Sequence, residues 1–541
     1  MEDAKVGDAV PARAHSTMLS PLPVYDHVGV GFGPANLGLC IALHESQEAR
    51  ARDFQMCFLE KEPQFAWHPS LLLPGAQLQV SPMKDLATMR DPTSAYTFFN
   101  FLHTEGRLMQ YINREEKVPS RREWSAYLAW AARHMAAYVR YAHEVTDIVP
   151  VQRDGQCLYR LQCATPSGAR DMYARNVSIA VGGAARVPPP FTPLYTPRAR
   201  GSRVVHSSTF LPQMASLEPM LQRAALDGAS LRLAVVGGGQ SSAEMLRYLR
   251  ERFPMAALDF VLRASALVPS DDTPFVNSAA FDPVSVSTFW ESSVRQREAQ
   301  LAEFKRTNYS VIRSDLLAEL YEMIYDQEIG YLEPGETPKG LVRVLASTLV
   351  HAVDVCDDGR LRVATHTVAG ERATRTETYD AVFLGTGFLR DPSTLPFVRT
   401  LAEHFPLLSP DGASCLRREE LAHDEDDVAD REAHRAALRG ITRDYRLVPR
   451  GTAAEAIPPL APSVMERIPL SRVGREGLPG HCLARVDGGG TADPPAGRGM
   501  SGAVYVFGSN ERTHGLSDSL MSMVAHRAAI VSASLLVAPA H

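Results

Sequence analysis

The feature that most constrains this chain is a glycine turn near its start, Gly31-Phe32-Gly33-Pro34-Ala35-Asn36. It lies between a β-type run, His27 to Val30, and a helical run, Ala35 to Glu45. Gly31 permits a tight turn, and Gly33 lets backbone approach a pyrophosphate. Asn36 stands where a third glycine would let helix and strand pack closely. The helix, with Pro34 at its mouth, points free amides and a positive dipole end at the phosphates. A glycine turn alone is a weak signal. Here a second strand, Gln55 to Leu59, follows and ends in Glu60, an acid placed to bind ribose hydroxyls. Strand, turn, helix, strand and acid in that order describe a dinucleotide-binding unit.

The pattern recurs downstream. A buried run, Leu231 to Val236, meets Gly237-Gly238-Gly239, and a helix opens with Gln240, Ser241 and Ser242. The next strand, Leu258 to Leu262, ends in Arg263 and not in an acid. An acid repels a 2′-phosphate, whereas an arginine pairs with it. The first unit is therefore expected to take FAD, whose ribose hydroxyls are free, and the second NADPH. The plainer reading of Arg263 is an ordinary surface arginine.

At 541 residues the chain is too long for one ordinary core. Its net charge is -6, with no basic face for nucleic acid and no polybasic stretch for a membrane surface. Seven cysteines are scattered without C-x-x-C spacing, which reads as reduced intracellular thiols. No apolar run is long enough to span a bilayer, and no metal is expected. Residues 1–24 read as a disordered lead, 25–205 as the first part of the FAD domain and 206–375 as the NADPH domain with substrate-binding segments. Residues 376–541 read as the second part of the FAD domain, with an irregular insertion at about 395–500. The return is expected at Tyr379 to Phe388, an apolar strand entering a small-residue turn. Asp424 to Asp427 reads as a solvated loop, and Ile457 to Gly499 as a long, partly disordered excursion. The expected fold class is α/β: two Rossmann-like dinucleotide-binding domains, the second inserted into the first, with a small discontinuous substrate-binding region.

Other stretches carry candidates. Trp67 and His68 can pack on a flavin ring, or be a buried Trp and a satisfied His. Asn277 and Asn308, amides flanked by apolar residues, are candidate substrate donors; alone they read as turn residues. Taken together, Phe58-Leu-Glu-Lys61, Phe65-Ala-Trp-His-Pro69, Ser81-Pro-Met-Lys84-Asp-Leu-Ala-Thr-Met-Arg-Asp-Pro92, Gly237 to Glu244, Ser270 to Asn277, Thr307 to Ser310 and Glu511 to Asp518 form several blocks in one order. In these blocks the chain resembles the microbial N-hydroxylating monooxygenases of siderophore synthesis, the L-ornithine N5-monooxygenases in particular. The resemblance spans about 25–395 and 503–530 and weakens between, apart from Asp444 to Leu447.

That resemblance implies roles. Lys84 would meet the amino acid's carboxylate, Asn277 and Asn308 its α-amino and carboxylate groups. The Leu516-Ser517-Asp518 turn would line the site, with Ser517 towards the substrate and Leu516 towards FAD. Gln79 would lie near the reactive face of the flavin and Tyr309 at NADPH. No catalytic side chain is named, because a C4a-hydroperoxyflavin formed from NADPH, FAD and O2 would hydroxylate the neutral side-chain amine of L-ornithine. The resemblance further implies a homo-oligomer, tetramer or dimer, in the cytoplasm. Two departures stand out: Gly385-Thr-Gly-Phe388 where the family has Ala-Thr-Gly-Tyr, which removes a hydroxyl, and Gly237-Gly-Gly239 where it has Gly-Ser-Gly. The alternatives are an L-lysine N6-hydroxylase, a Baeyer–Villiger-type flavin monooxygenase and a non-catalytic flavoprotein. A cluster of Lys84, Asn277 and Asn308 argues against the second, and two intact nucleotide turns with Arg263 argue against the third.

Overall fold

The structure, a computed structural model, describes residues 23–115, 118–226, 228, 230–330, 340–369, 373–422, 432–452, 457 and 502–537. Two mostly parallel sheets organise them, each with a glycine turn at the carboxyl end of a central strand. In the first, Val24–Val30 lies between Met56–Leu59 and Gly168–Ile179, parallel to both. The long strand Gly168–Ile179 pairs along its first half with the antiparallel strands Gln156–Thr165 and, beyond it, Glu144–Arg153. Its second half pairs with Val504–Val506 from the far end of the chain. The helix Pro34–Glu45 is buried continuously from Asn36 to Leu43. It is buried because the closing helix Val524–Val537 covers its outer side. Gly38 makes that contact possible: a Cβ there would stand 2.7 Å from Val524 Cγ1.

The second sheet is all parallel, in the order Val342–Leu345, Ala257–Val261, Arg232–Val236, Ala381–Leu384, Val204–His206. This moves two expected boundaries. Ala381–Leu384, expected to open the return to the first domain, is instead a central strand of the second. Val204–His206, which the expected boundary at 205/206 would cut, is wholly the second sheet's edge. A four-residue apolar run buried on both faces carries no mark of which sheet it joins. The crossings lie at Ala184–Ala185 and Phe388–Leu389, which pair antiparallel. Inserted in the second domain are the helices Pro274–Ala280, Pro283–Glu291, Val294–Asn308 and Ser314–Ile329, and an antiparallel sheet of Thr348–Val355, Leu361–Thr367 and Thr374–Tyr379.

The stretch expected as an irregular insertion is ordered where it is described. Phe397, Leu401, Phe405, Leu408, Ile441 and Leu447 pack on Ile148 and Leu161 of the first sheet. Single-turn helices carry Phe397, Leu401 and Leu408, and Ile441 and Leu447 face each other across an isolated antiparallel bridge. Their apolar residues are set in short turns broken by proline, so no long period advertised a core. Asp424 to Asp427, residues 1–22 of the lead, and all of 457–499 except Ile457 lie outside the described residues. Among the described residues no helix is long and apolar enough to cross a membrane.

Candidate active site

The first turn is built to hold something on its open side. Gly31 adopts φ +82°, and a Cβ there would press to 2.7 Å from the Ala180 carbonyl oxygen. Gly33 faces open space and precedes a helix whose first amides have no side-chain cap. Asn36 is fully buried where helix and strand pack closely, and it also hydrogen-bonds there. Its Nδ2 donates to the carbonyls of Val30, at 3.2 Å, and Gly31, at 2.7 Å, while its Oδ1 accepts from Ser178 Oγ at 2.8 Å. It clamps the turn, and the close approach lies at Gly29 against Phe58. Glu60 accepts from Phe32 N at 2.9 Å, which holds its carboxylate at the mouth of the turn. Trp67 meets His68 edge-on, ring centroids 4.8 Å apart. His68 keeps contact with solvent. Desolvation by the protein around it, then the charges of Arg121 and Arg390, lowers its pKa to about 4. Gln79 is exposed.

The second turn repeats the device. Gly237 has φ +123°, and a Cβ there would stand 2.4 Å from the Gly385 carbonyl oxygen. Gly239 precedes the helix Gln240–Arg252, again without a side-chain cap. Ser241 is half-buried at its start. Two expected NADPH contacts turn inward. Ser242 Oγ donates to the Gly385 carbonyl at 3.2 Å, and the Gln240 amide is held at both ends by protein. Arg263 follows the strand Ala257–Val261, is exposed and has no partner among the described residues.

Three distant segments converge at Phe281. Lys84 Nζ donates to the Phe281 carbonyl at 3.1 Å, across from its own domain. Burial lowers the Lys84 pKa, and the Asp282 carboxylate opposes that shift. Leu516, expected beside FAD, turns its side chain into a cluster with Phe281, Phe289, Leu301 and Phe304. Ser517 is buried next to it, and Asp518 is locked by Arg527 at 3.0 Å. Asn277 donates to the carbonyls of Asp272 and Thr273, bracing its own helix start. Asn308 ends the helix Val294–Asn308 and is half-buried. Tyr309 donates to Glu511, which also accepts from Ser519 Oγ at 2.9 Å. Burial, then the Glu511 charge, raises the Tyr309 phenol to about 12. Arg390 donates to Ser519 Oγ at 2.9 Å. Sequence reading missed Glu511, Ser519 and Arg390 as a group because their partners come from other segments. The opposite edge of the first sheet carries two hollows of about 450 Å3 each, one lined by Tyr25, His44, Gln55 and Arg140, the other by Tyr25, Arg140, His143 and Arg170. They lie at the amino ends of the strands, away from both turns.

Residues 23–390 match the family model described as L-lysine 6-monooxygenase/L-ornithine 5-monooxygenase. The chain belongs to this family. The L-ornithine N(5)-monooxygenase of Mycosarcoma maydis is 43% identical over 575 residues, covering 97% of this chain and 86% of that one. Among solved structures, the ornithine hydroxylase of Pseudomonas aeruginosa superposes with a TM-score of 0.71 at 30% identity, covering 95% and 99% of the two chains. The ornithine N-hydroxylase of Kutzneria sp. 744, described with reduced FAD, NADP+ and L-ornithine, matches with a TM-score of 0.71 at 29% identity, covering 95% and 99%.

This monooxygenase uses FAD and NADPH, and its two turns fit them. Both present uncapped helix starts for a pyrophosphate. The first has an acid, Glu60, at its mouth, and the second an exposed arginine, Arg263, without a partner among the described residues, the charges that a free ribose and a 2′-phosphate respectively favour. The family's tyrosine is Phe388, whose ring meets His206 edge-on at 5.5 Å.

Proposed function

We propose that this monooxygenase acts on the side-chain amine of L-ornithine, and that Lys84, Asn277, Asn308 and Ser517 hold the amino acid. Bound FAD, reduced by NADPH, supplies the oxygen-activating chemistry. The chain's residues do the positioning. The Lys84 ammonium pairs with the substrate carboxylate, and the Asn277 and Asn308 amides share the α-groups. The apolar wall of Phe281, Phe289, Leu301, Phe304 and Leu516 excludes water from that end of the site. A grip on the α-groups makes chain length a ruler for the far nitrogen. That nitrogen must be uncharged to react, so activity rises towards mildly alkaline pH. Glu60 and the first turn hold FAD, with Trp67, His68 and Gln79 beside its ring. Gly237, Gly239, Ser241 and Arg263 hold NADPH. We extend the proposal to a cytoplasmic location and a homo-oligomer.

The observation that carries this reading is Lys84, a cation reaching across to Phe281 where three segments meet. The ornithine preference rests on the relative that matches 97% of the chain. The test is hydroxylated product per NADPH consumed, with ornithine and with lysine. Ornithine gives efficient product; lysine, longer by one methylene, stimulates NADPH oxidation with little product. Equal or better kcat/KM with lysine overturns the ornithine assignment and leaves the N-hydroxylase. Lys84→Ala raises the ornithine KM by about 10- to 150-fold, a lost charge-assisted contact, while NADPH still reduces FAD.

A further inference from the structure

We propose that Glu244 is a positioning residue that ties the substrate segment around Asn308 to the FAD domain through the second glycine turn. Glu244 sits on the helix Gln240–Arg252 and is 1% exposed. A buried carboxylate needs partners on every side. Here they come from two domains. Arg121, at the start of the FAD domain's helix Arg121–His134, grips it with both terminal nitrogens, Nη1 to Oε2 at 2.7 Å and Nη2 to Oε1 at 2.9 Å. Arg121 Nη1 also donates to the Leu71 carbonyl at 2.8 Å, in the short turn that follows Trp67 and His68.

The other arm runs through Gln240. Its Nε2 donates to Glu244 Oε1 at 2.9 Å, and its Oε1 accepts from Arg313 N at 2.9 Å. One partner accepts and the other donates, so the amide has a single orientation. Arg313 lies just beyond Asn308, Tyr309 and Ser310. Ser310, at φ +56°, lies over the turn itself, its Cα 3.5 Å from where a Gly239 Cβ would be. One carboxylate thus joins the flavin wall, the NADPH turn and the loop that carries Asn308. The chain itself crosses between the domains at Ala184–Ala185 and Phe388–Leu389, and Leu71, Leu73 and Ala76 pack into the second domain's core. A bidentate buried pair sets their registry in a way that a flexible tether does not. The proposal rests on the reading of Asn308 as a substrate residue.

The experiment uses the FAD-loaded enzyme with Glu244→Gln, Gln240→Ala, the double variant and Asn308→Ala. It measures FAD content, the KM values for ornithine and NADPH, and product per NADPH. Glu244→Gln and Gln240→Ala each raise the ornithine KM about 10-fold and lower product per NADPH, on the scale of one lost buried charge-assisted bond. FAD content holds, and the NADPH KM moves less than about 3-fold. The double variant loses less than about 2-fold beyond either single one, because the relay is already cut. A structural role alone predicts multiplied losses in FAD content, which would overturn the proposal. So would Gln240→Ala with unchanged ornithine KM and coupling beside an Asn308→Ala variant that loses ornithine affinity; that result leaves the substrate reading standing. Asn308→Ala with unchanged ornithine KM defeats both. If Glu244→Gln does not fold, Gln240→Ala decides.

Discussion

The two nucleotide turns have the same backbone plan and opposite wiring. The first closes on its own domain: Asn36 clamps its carbonyls and Ser178, Gly38 seats the closing helix, and Glu60 holds Phe32 N. The second reaches out of its domain, where Glu244 meets Arg121. Within it Ser242 holds Gly385 and Gly239 lies under Ser310, while Arg263 has no partner among the described residues. A self-contained socket suits a cofactor that stays through turnover. A turn wired to its neighbours suits one that must come, act and leave in step with the substrate.

The sharpest way to break this comparison is to add one methyl group to each turn. Gly31→Ala combines φ +82° with a contact at 2.7 Å, and Gly237→Ala combines φ +123° with one at 2.4 Å. Left-handed backbone alone costs about 1–2 kcal/mol for an L-residue, before the clash. Gly31→Ala should lose bound FAD by about 10-fold or more, read as flavin absorbance per protein. Gly237→Ala should keep FAD and lose reduction by NADPH to a similar extent. If Gly237→Ala also strips FAD, the two turns are not separable.

A smaller effect tests the charge contrast. Arg263→Ala should cost roughly 1–3 kcal/mol, about 5- to 150-fold in NADPH binding, with NADH use little changed. Reduction kinetics with both cofactors check it, and an equal loss with each removes Arg263 from the 2′-phosphate.

The most gradual effect is acid sensitivity. Burial lowers His27 and His514 to about 3 and His526 and His206 to about 4. In the unfolded chain they take up protons near the ordinary value of about 6.5, while the folded ones stay neutral. Between about pH 6.5 and 4 the unfolded state therefore holds more protons, and stability falls as pH falls, by about 1.4 kcal/mol per unit for each histidine. His27, His514 and His526 belong to the FAD domain, and only His206 lies in the second sheet. Thermal melts from pH 7 to 5 should show FAD release leading the loss of the NADPH-binding domain. His27→Asn should flatten the fall; a melting point independent of pH over that range rules the account out.

Some of this architecture was legible residue by residue. Both turns, and the contrast of Glu60 with Arg263, follow from short spacings, because a β-α-β unit writes its turn, helix and next strand within one local stretch. The order within 395–452 was not legible, since proline-broken turns hide the period of an apolar face. Gln240 and Ser242 looked like ligand contacts, and only packing showed their side chains turned to Arg313, Glu244 and Gly385.

By itself, then, the sequence determined two dinucleotide sites, their different cofactors and the family, because each rests on residues near one another in the chain. Tertiary structure alone decided that Ala381–Leu384 joins the second sheet, that Lys84 reaches Phe281, that Tyr309 meets Glu511 and that Arg121 grips Glu244. The physical reason is that a lone charge or a short apolar run satisfies itself with whatever partner packing brings within about 3 Å, and nothing local in the chain names that partner.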